Sequence, residues 1–409
     1  MTTTISHTGH ALSRKSRLIY VIVLGLLVGL GPFTIDLYLP AFPAVQADLG
    51  ASASAVQVTL TATMIGFGVG QLIVGPWSDM VGRRRPLLLA TALHVGASLG
   101  VALAPDIGWI VVFRVLQGVG AAGGGVVATA VVRDLFEGRP LIRMFARLAL
   151  VTGVAPVVAP VIGSQLLRFL DWRGLFVVVA CYGVVVLVLA FAMITETLPA
   201  ERRQGRGGRT TAARLRSLFA DRAFIGVALI GGLLVAGVFC YLSSSPFLFQ
   251  ELYGLDAQQY GMLGAINAIV FVVGSQSASR IIHLLPPQWL LAVTLPLLAL
   301  AGYSIILCVA LGLGLTAILA VTSVFFLGAG MSVPCLQVLG LAHHADEAGT
   351  AAAVLGATNF AVAGIAAPIV GAIGLESAAP MGLVMGTALT IATGILWTMI
   401  RPRTVRSIY

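Results

Sequence analysis

The chain has 409 residues, 58% hydrophobic and only 10% charged, with a formal net charge of +9 and a mean hydropathy of +1.01. Soluble domains carry about 25% charged residues, so these values exclude an ordinary water-soluble fold and point to an all-α polytopic membrane protein. The positive charge reads as a topological signal and not as a nucleic-acid footprint, because Lys and Arg beside a span resist translocation.

Residues 1–17 form a polar tail ending in Arg14, Lys15 and Arg17. The apolar run behind it is long and lacks a small-residue cleavage site, so it reads as a first span and not a removable signal peptide. A hydrocarbon core of ~30 Å needs about 20 apolar residues per helix. Twelve stretches meet this: 18–41, 52–77, 86–104, 108–132, 144–167, 174–194, 223–246, 259–283, 288–311, 314–341, 349–373 and 378–400. All but three of the 24 lysines and arginines fall on the side that carries both termini, which places the termini in the cytoplasm. The polar stretch 195–222, TETLPAERRQGRGGRTTAARLRSLFADR, divides the spans six and six. It reads as a cytoplasmic linker with a surface helix near Ala212 to Phe219. The expected organisation is a six-helix bundle at 18–194, a second at 223–400 and a cytoplasmic tail at 401–409, with the halves facing each other across a pathway.

In chain order, the first chemistry-bearing residue is Asp36 in the first span, flanked by Gly31, Pro32 and Pro40, which loosen the helix around it. A charge inside a span costs ~2.5–3.5 kcal/mol on the mildest scale, so it marks a functional candidate. Tyr38 beside it is a candidate for cavity lining or for the membrane interface. Between spans two and three stands GPWSDMVGRRR, Gly75 to Arg85. It is a charged turn in which Gly75 and Gly82 permit close approach, and Asp79 sits beside Arg83, Arg84 and Arg85.

Arg114 is the second charge placed inside a span, with Gln117 one turn away on the same face. Asp36 lies ~7 Å and Arg114 ~9 Å from the outer surface at 1.5 Å per residue. A direct or water-bridged pair is therefore feasible if their helices face each other. GVGAAGGG, Gly118 to Gly125, favours close helix packing. Span five carries Gly153, Pro156, Pro160 and Gly163, the prolines four residues apart on one face, which shapes or bends a contact surface. Tyr241, Asn267 and Asn359 are candidates for cavity lining. The four cysteines lie in apolar runs without metal-type spacing and read as buried hydrophobes. His343 and His344 read as solvated loop residues. Walker, zinc, nucleophile-elbow and haem signatures are absent from the sequence.

GPWSDMVGRR at Gly75 to Arg84 resembles motif A of the major facilitator superfamily. RVLQGVGAA at Arg114 to Ala122 resembles its motif B, and the Gly153 to Gly163 segment its span-five antiporter motif. DLYLPAFP at Asp36, APVVAPVIG at Ala155, ETL at Glu196 and YLSSSPF at Tyr241 are similar to the bicyclomycin/chloramphenicol-resistance (Bcr/CflA) branch of twelve-helix drug:proton antiporters. The resemblance implies twelve helices in two six-helix bundles that alternate access and export drugs against protons. It also implies a cytoplasmic latch of Gly75, Asp79, Gly82, Arg83, Arg84 and Asp134, with Asp79 approaching the start of span eleven near Gly349 and Thr350. Met80 departs from the basic residue usual in that motif. Arg114 is implicated in proton coupling, with Asp36 as its acidic counterpart.

The functional expectation is a proton-coupled exporter of amphipathic antibiotics in a bacterial cytoplasmic membrane. It would act as a monomer without cofactors, its partners being drug, protons and lipid but no nucleic acid. Transport of an endogenous sugar, amino acid or siderophore is the alternative. An enzyme is disfavoured because no nucleophile–base constellation is present.

Overall fold

Backbone in a bilayer must satisfy its own N–H and C=O groups, so each long apolar run becomes a helix. The computed structural model describes residues 14–136, 138–199, 203, 211–341 and 348–403. Among these, 12 helices are long and apolar enough to cross a membrane. The first half comprises α1 (Arg14–Asp36), the short α2 (Phe42–Leu49), α3 (Ala53–Val81), α4 (Arg84–Ala102), α5 (Ile107–Leu135), α6 (Gly138–Leu166) and α7 (Trp172–Met193). A linker helix, α8 (Thr211–Ala220), lies where a surface helix was expected. The second half comprises α9 (Arg222–Phe247), α10 (Ala257–Ile281), α11 (Pro287–Ala310), α12 (Gly314–Leu341), α13 (Ala348–Ile373) and α14 (Ala379–Ile395).

Helix starts are set by local polar chemistry. The side chains of Ser52, Asp106, Asp171, Asp221 and Asp256 accept hydrogen bonds from first-turn N–H groups, satisfying donors that the helix itself cannot. Asp48 pairs with Arg173 and accepts from the Trp172 indole at 3.1 Å. Much of the acidic complement is thereby structural, which sets Asp36 and the acids of the charged turn apart.

The first span differs from its expected boundary. It does not end near Ala41. The α-helix stops at Asp36, a short 3-10 turn covers Leu39–Ala41, and the chain stays buried through Phe42 and Val45 into α2. Prolines at 32, 40 and 43 break the hydrogen-bond ladder but leave the side chains apolar, so the segment bends without leaving the membrane layer. The span thus continues to Leu49, and Asp36 lies deeper than a depth counted from Ala41.

Within the first half α5 packs against α3 and α4, and α1 against α5 and α6; within the second, α9 packs against α13 and α14, and α10 and α11 against α12. The α3–α5 crossing is the tightest kind of contact, since a Cβ on Gly118 would overlap the Thr63 carbonyl and one on Gly66 the Val115 carbonyl. The halves meet along two seams, α3 with α13 and α6 with α10. The Phe67 and Phe360 rings lie 5.2 Å apart on the first seam. At the end away from the linker, Gln57 Nε2 donates to the Ser243 carbonyl at 3.2 Å and Ser244 Oγ at 3.3 Å. Nearby, Gln258 Nε2 donates to the Ser164 carbonyl at 3.0 Å and Gln250 Nε2 to the Pro40 carbonyl at 3.1 Å. At the linker end α8 buries Leu218 against Phe224, Ala351 and Val354. A cavity of about 230 Å³ opens in this half of the molecule between α9, α12 and α13.

Candidate functional site

The break at the end of α1 organises the first half. A helix C-terminus leaves carbonyls without intrahelical partners and carries partial negative charge. Arg114, 0% exposed on α5, meets that end: its Nη1 donates to the Thr34 carbonyl at 2.8 Å and to Gln117 Oε1 at 2.8 Å. Its guanidinium carbon lies 4.9 Å from the Tyr38 ring centroid and 5.6 Å from that of Phe176. Two aromatic faces and a helix end thus compensate part of the cost of this buried cation, whose Nε and Nη2 have no hydrogen-bond partner among the described residues. Gln117 Nε2 continues the network to Ser98 Oγ at 2.8 Å, and Ser98 donates to the His94 carbonyl at 2.7 Å. Thr34 donates its hydroxyl to the Leu30 carbonyl at 2.6 Å, so the His94 Nε2 contact at 2.8 Å has the ring as donor.

Asp36, the last residue of α1, is 7% exposed. Among the described residues no ion pair joins it to Arg114, whose hydrogen bonds go to Thr34 and Gln117 instead. A direct pair, one of the two arrangements that the depths allow, is therefore not formed. The turn that follows Asp36, Leu39–Ala41, packs against α9 and α10 of the other half, and the Pro40 carbonyl there accepts from Gln250 Nε2. The acid therefore lies close to the boundary between the halves.

The charged turn at the linker end is a closed network. Arg83 Nε donates to Asp134 Oδ2 at 2.8 Å, while its Nη1 pairs with Asp79 and donates to Ser78 Oγ at 2.9 Å. Burial lowers the affinity of the Arg83 guanidinium for its proton, but the bonds to Asp134 and Asp79 outweigh it and the pKa is raised. Thr197 donates to Asp134 Oδ2 at 3.0 Å. Glu196 Oε1 accepts from the backbone N–H of Arg83 at 2.8 Å and of Leu198 at 3.0 Å, and Oε2 from that of Arg84 at 3.2 Å. Partial burial raises the Glu196 pKa, yet these backbone donors prevail and hold the carboxyl below its ordinary range. Gly82 has φ 104°, and a Cβ there would overlap the Glu196 carboxylate. Arg84 donates to the Phe191 carbonyl at 2.9 Å. Gly75 lies against Val126, where a Cβ would come within 3.3 Å. Met80 points outward at 60% exposure, so its departure from the motif removes nothing from the interior network. The start of span eleven, near Gly349 and Thr350, is the first turn of α13; among the described residues the ion pair of Asp79 is with Arg83, and His343 and His344 lie outside the described residues.

The span-five residues sit at contacts rather than at a cleft. Helix α6 runs unbroken through Pro156 and Pro160. A Cβ on Gly163 would overlap the Leu37 carbonyl, Pro160 packs against Gly264 of α10, and the Gly153 site is 4.0 Å from Val272. Tyr38 is buried between the Phe42 and Phe176 rings, with centroids 4.9 and 4.8 Å away, and is not interfacial. Tyr241 accepts a hydrogen bond from Asn267 Nδ2 at 2.7 Å inside the second half. Asn359 lines the 230 Å³ cavity. The structure adds His94, Ser98 and Phe176 around Arg114, and Glu196 and Thr197 in the turn, which sequence reasoning did not single out as site residues. A histidine inside an apolar run was the available signal for the first group. For Glu196 and Thr197 the ETL resemblance was the available signal, but it assigned no role, because their partners are backbone groups and an acid about 60 residues away.

The sequence model of the Major Facilitator Superfamily matches residues 24–368. A Bacillus subtilis (strain 168) protein, "Uncharacterized MFS-type transporter YdgK", is 37% identical over 387 residues, covering 94% of this chain and 96% of the relative. "Bicyclomycin resistance protein homolog" of Haemophilus influenzae is 29% identical, covering 93% and 95% respectively. Among solved structures, a bacterial homologue of the human lysosomal transporter Spinster, inward-facing and unoccupied, superposes with a TM-score of 0.76 at 15% identity, covering 96% of this chain and 98% of that one. A D-xylose–proton symporter does so at 0.74 and 17%, with the same coverage. With twelve membrane-spanning helices, a matched family model across most of its length and transporter relatives spanning nearly all of it, the chain belongs to the Major Facilitator Superfamily and is a multi-pass membrane transporter of small molecules, not an enzyme.

Proposed function

We propose that the protein is a proton-driven exporter of amphipathic antibiotics of the Bcr/CflA type, acting as a monomer in a bacterial cytoplasmic membrane with both termini inside. The observation that carries this reading is Asp36: a buried carboxyl close to the boundary between the halves, without a cationic partner among the described residues. An isolated acid in such a place binds a proton readily and releases it when water or a cation reaches it. Arg114 acts here as a positioning residue. It fixes the broken end of α1, and with it the depth of Asp36, through the Thr34 carbonyl.

Protonation of Asp36 removes a charge next to the turn Leu39–Ala41, which packs against α10 of the other half, and drug binding competes with that state. The halves then exchange between an arrangement closed at the Gln57, Gln250 and Gln258 end and one closed at the Arg83 turn. Relatives named as bicyclomycin-resistance and multidrug-resistance proteins support antibiotics as cargo. The decisive measurement is chloramphenicol or bicyclomycin movement in proteoliposomes with an imposed proton gradient. Uphill movement is expected from the parent chain and none from Asp36→Asn, with the variant still inserted and folded. Uphill movement without any proton gradient, or by Asp36→Asn, refutes the proposal.

A further inference from the structure

Beyond α14 the chain makes one wider turn, Leu396–Ile400, and the helical run stops at Arg401. A residue that ends a helix in the left-handed conformation is ordinarily glycine; here it is Arg401, at φ 52°. Its Nε reaches back to donate to the Thr398 carbonyl at 3.3 Å. Arg222, in the first turn of α9, donates from Nη2 to the same oxygen at 3.4 Å. Two guanidinium groups from exposed residues thus converge on one carbonyl. Like charges held this close repel, and an anion shared between them relieves the repulsion. Asp221, the acid next to the pair in sequence, caps α9 by accepting from the Ala223 N–H at 2.8 Å, and Arg403 adds another exposed cation. The surface beside the pair is apolar. Trp397 is 43% exposed, and its ring centroid lies 6.3 Å from that of Trp289 on α11. Between Trp397 and the exposed Ile391 sits Gly394, whose missing side chain leaves a notch: a Cβ there would meet nothing within 4 Å. From Trp289 the exposed Val293, Leu297 and Leu300 continue along one face of α11.

We infer that Arg222 and Arg401 form a binding site for the phosphate of an anionic phospholipid, with Trp397 at the glycerol level and the acyl chains along the exposed faces of α14 and α11. Tryptophan favours the membrane–water interface. Arg401 lies one turn past Trp397, ~6 Å farther from the hydrocarbon at 1.5 Å per residue, where lipid headgroups carry their charge. A soluble anion would meet only the arginines, whereas a lipid also covers the Gly394 notch and the tryptophan. A zwitterionic lipid brings a further cation to a place that already holds two, so charge selects the anionic one. The site is independent of the exporter reading. Only its leaflet, the cytoplasmic one, rests on the inward placement of the termini, and the opposite orientation would change the leaflet and not the site.

The test is native mass spectrometry of the purified, detergent-solubilised full-length chain. It is titrated with phosphatidylglycerol, with phosphatidylcholine, and with phosphatidylglycerol against excess inorganic phosphate. The parent chain is expected to bind phosphatidylglycerol at least about tenfold more tightly than phosphatidylcholine, the scale of two arginines at a lipid surface. The double variant Arg222→Gln/Arg401→Gln is expected to lose that preference, and Arg222→Lys/Arg401→Lys, which keeps both charges, to retain most of it. Arg280→Gln removes an exposed arginine from the end of α10, outside the pair, and is expected to bind as the parent does. Phosphatidylcholine binding, equal in all variants, reports that each is folded. The inference is overturned if the parent chain shows no preference, if the double glutamine variant keeps it, if Arg280→Gln reduces it as far, or if inorganic phosphate displaces the lipid, which would make the pair a site for soluble anions. Lipid preference without proton-driven transport supports the site and removes the exporter reading; transport without lipid preference removes the site and leaves the exporter reading standing.

Discussion

Replacing Glu196 by alanine isolates what one carboxylate contributes to the turn between α3 and α4. Glu196 accepts three backbone N–H bonds, two of them from Arg83 and Arg84 at the start of α4, where helix donors have no intrahelical acceptor. Losing a capping acceptor costs about 0.5–2 kcal/mol. Hydrogen bonds to charged groups lie higher, but Glu196 is largely exposed and solvent screening discounts them, leaving roughly 1–2 kcal/mol. The expected fall in apparent melting midpoint of the detergent-solubilised chain is about 2–4 °C. The pH dependence follows from the depressed Glu196 pKa. A carboxylate held below its unfolded value of 4.5 contributes stability that is complete above that value and is lost as pH falls through the lower folded value. The gap between parent chain and variant should therefore be full at pH 7 and close at acid pH below 4.5. Equal midpoints at pH 7, or a gap that does not narrow in acid, would show that the carboxylate does not hold this turn.

Other perturbations test other parts of the structure. Arg114→Lys keeps the charge but loses the planar group between Tyr38 and Phe176, and is expected to retain partial transport, whereas Arg114→Leu strands the Thr34 carbonyl and Gln117 at ~1–3 kcal/mol each and should abolish it in a proteoliposome assay. Gly118→Ala drives a methyl into the Thr63 carbonyl and should cost about 1–3 kcal/mol, seen as loss of monodisperse protein on size exclusion, while Gly125→Ala, with open space at its Cβ, should behave as the parent. Gln57→Ala combined with Gln258→Ala removes hydrogen bonds across the halves worth ~2 kcal/mol together, so the population opened at that end should rise roughly thirtyfold, measured as inter-label distances between the halves.

What could be read from the chain alone depended on how local the physics is. Hydrophobic run length fixed the number and approximate place of the spans, because each helix satisfies its own backbone. Arg83 and Asp134 came from motif resemblance, and in the structure a 2.8 Å bond joins them. The end of the first span was misplaced because prolines stop a helix without stopping burial, and hydropathy cannot distinguish a kink inside the membrane from an exit. The role of Glu196 stayed hidden for a related reason, although ETL was part of the resemblance: its partners are backbone N–H groups, which carry no residue identity.

The unformed pair between Asp36 and Arg114 follows from the same break in α1. Two opposite charges at similar counted depth invite a salt bridge, but that inference assumes an intact helix whose end carbonyls are already used. Once α1 stops at Asp36, its last turn presents free carbonyls, and a guanidinium on α5 satisfies one of them, that of Thr34. The separation has a chemical consequence. A carboxyl clamped to Arg114 would stay ionised across the physiological range, and a permanent ion pair does not carry protons. Burying the cation against Tyr38, Phe176 and a helix end leaves Asp36 free of that clamp, beside the turn that packs against α10. The proline-induced kink is thus the physical cause of both the misplaced span boundary and the separation of Asp36 from Arg114.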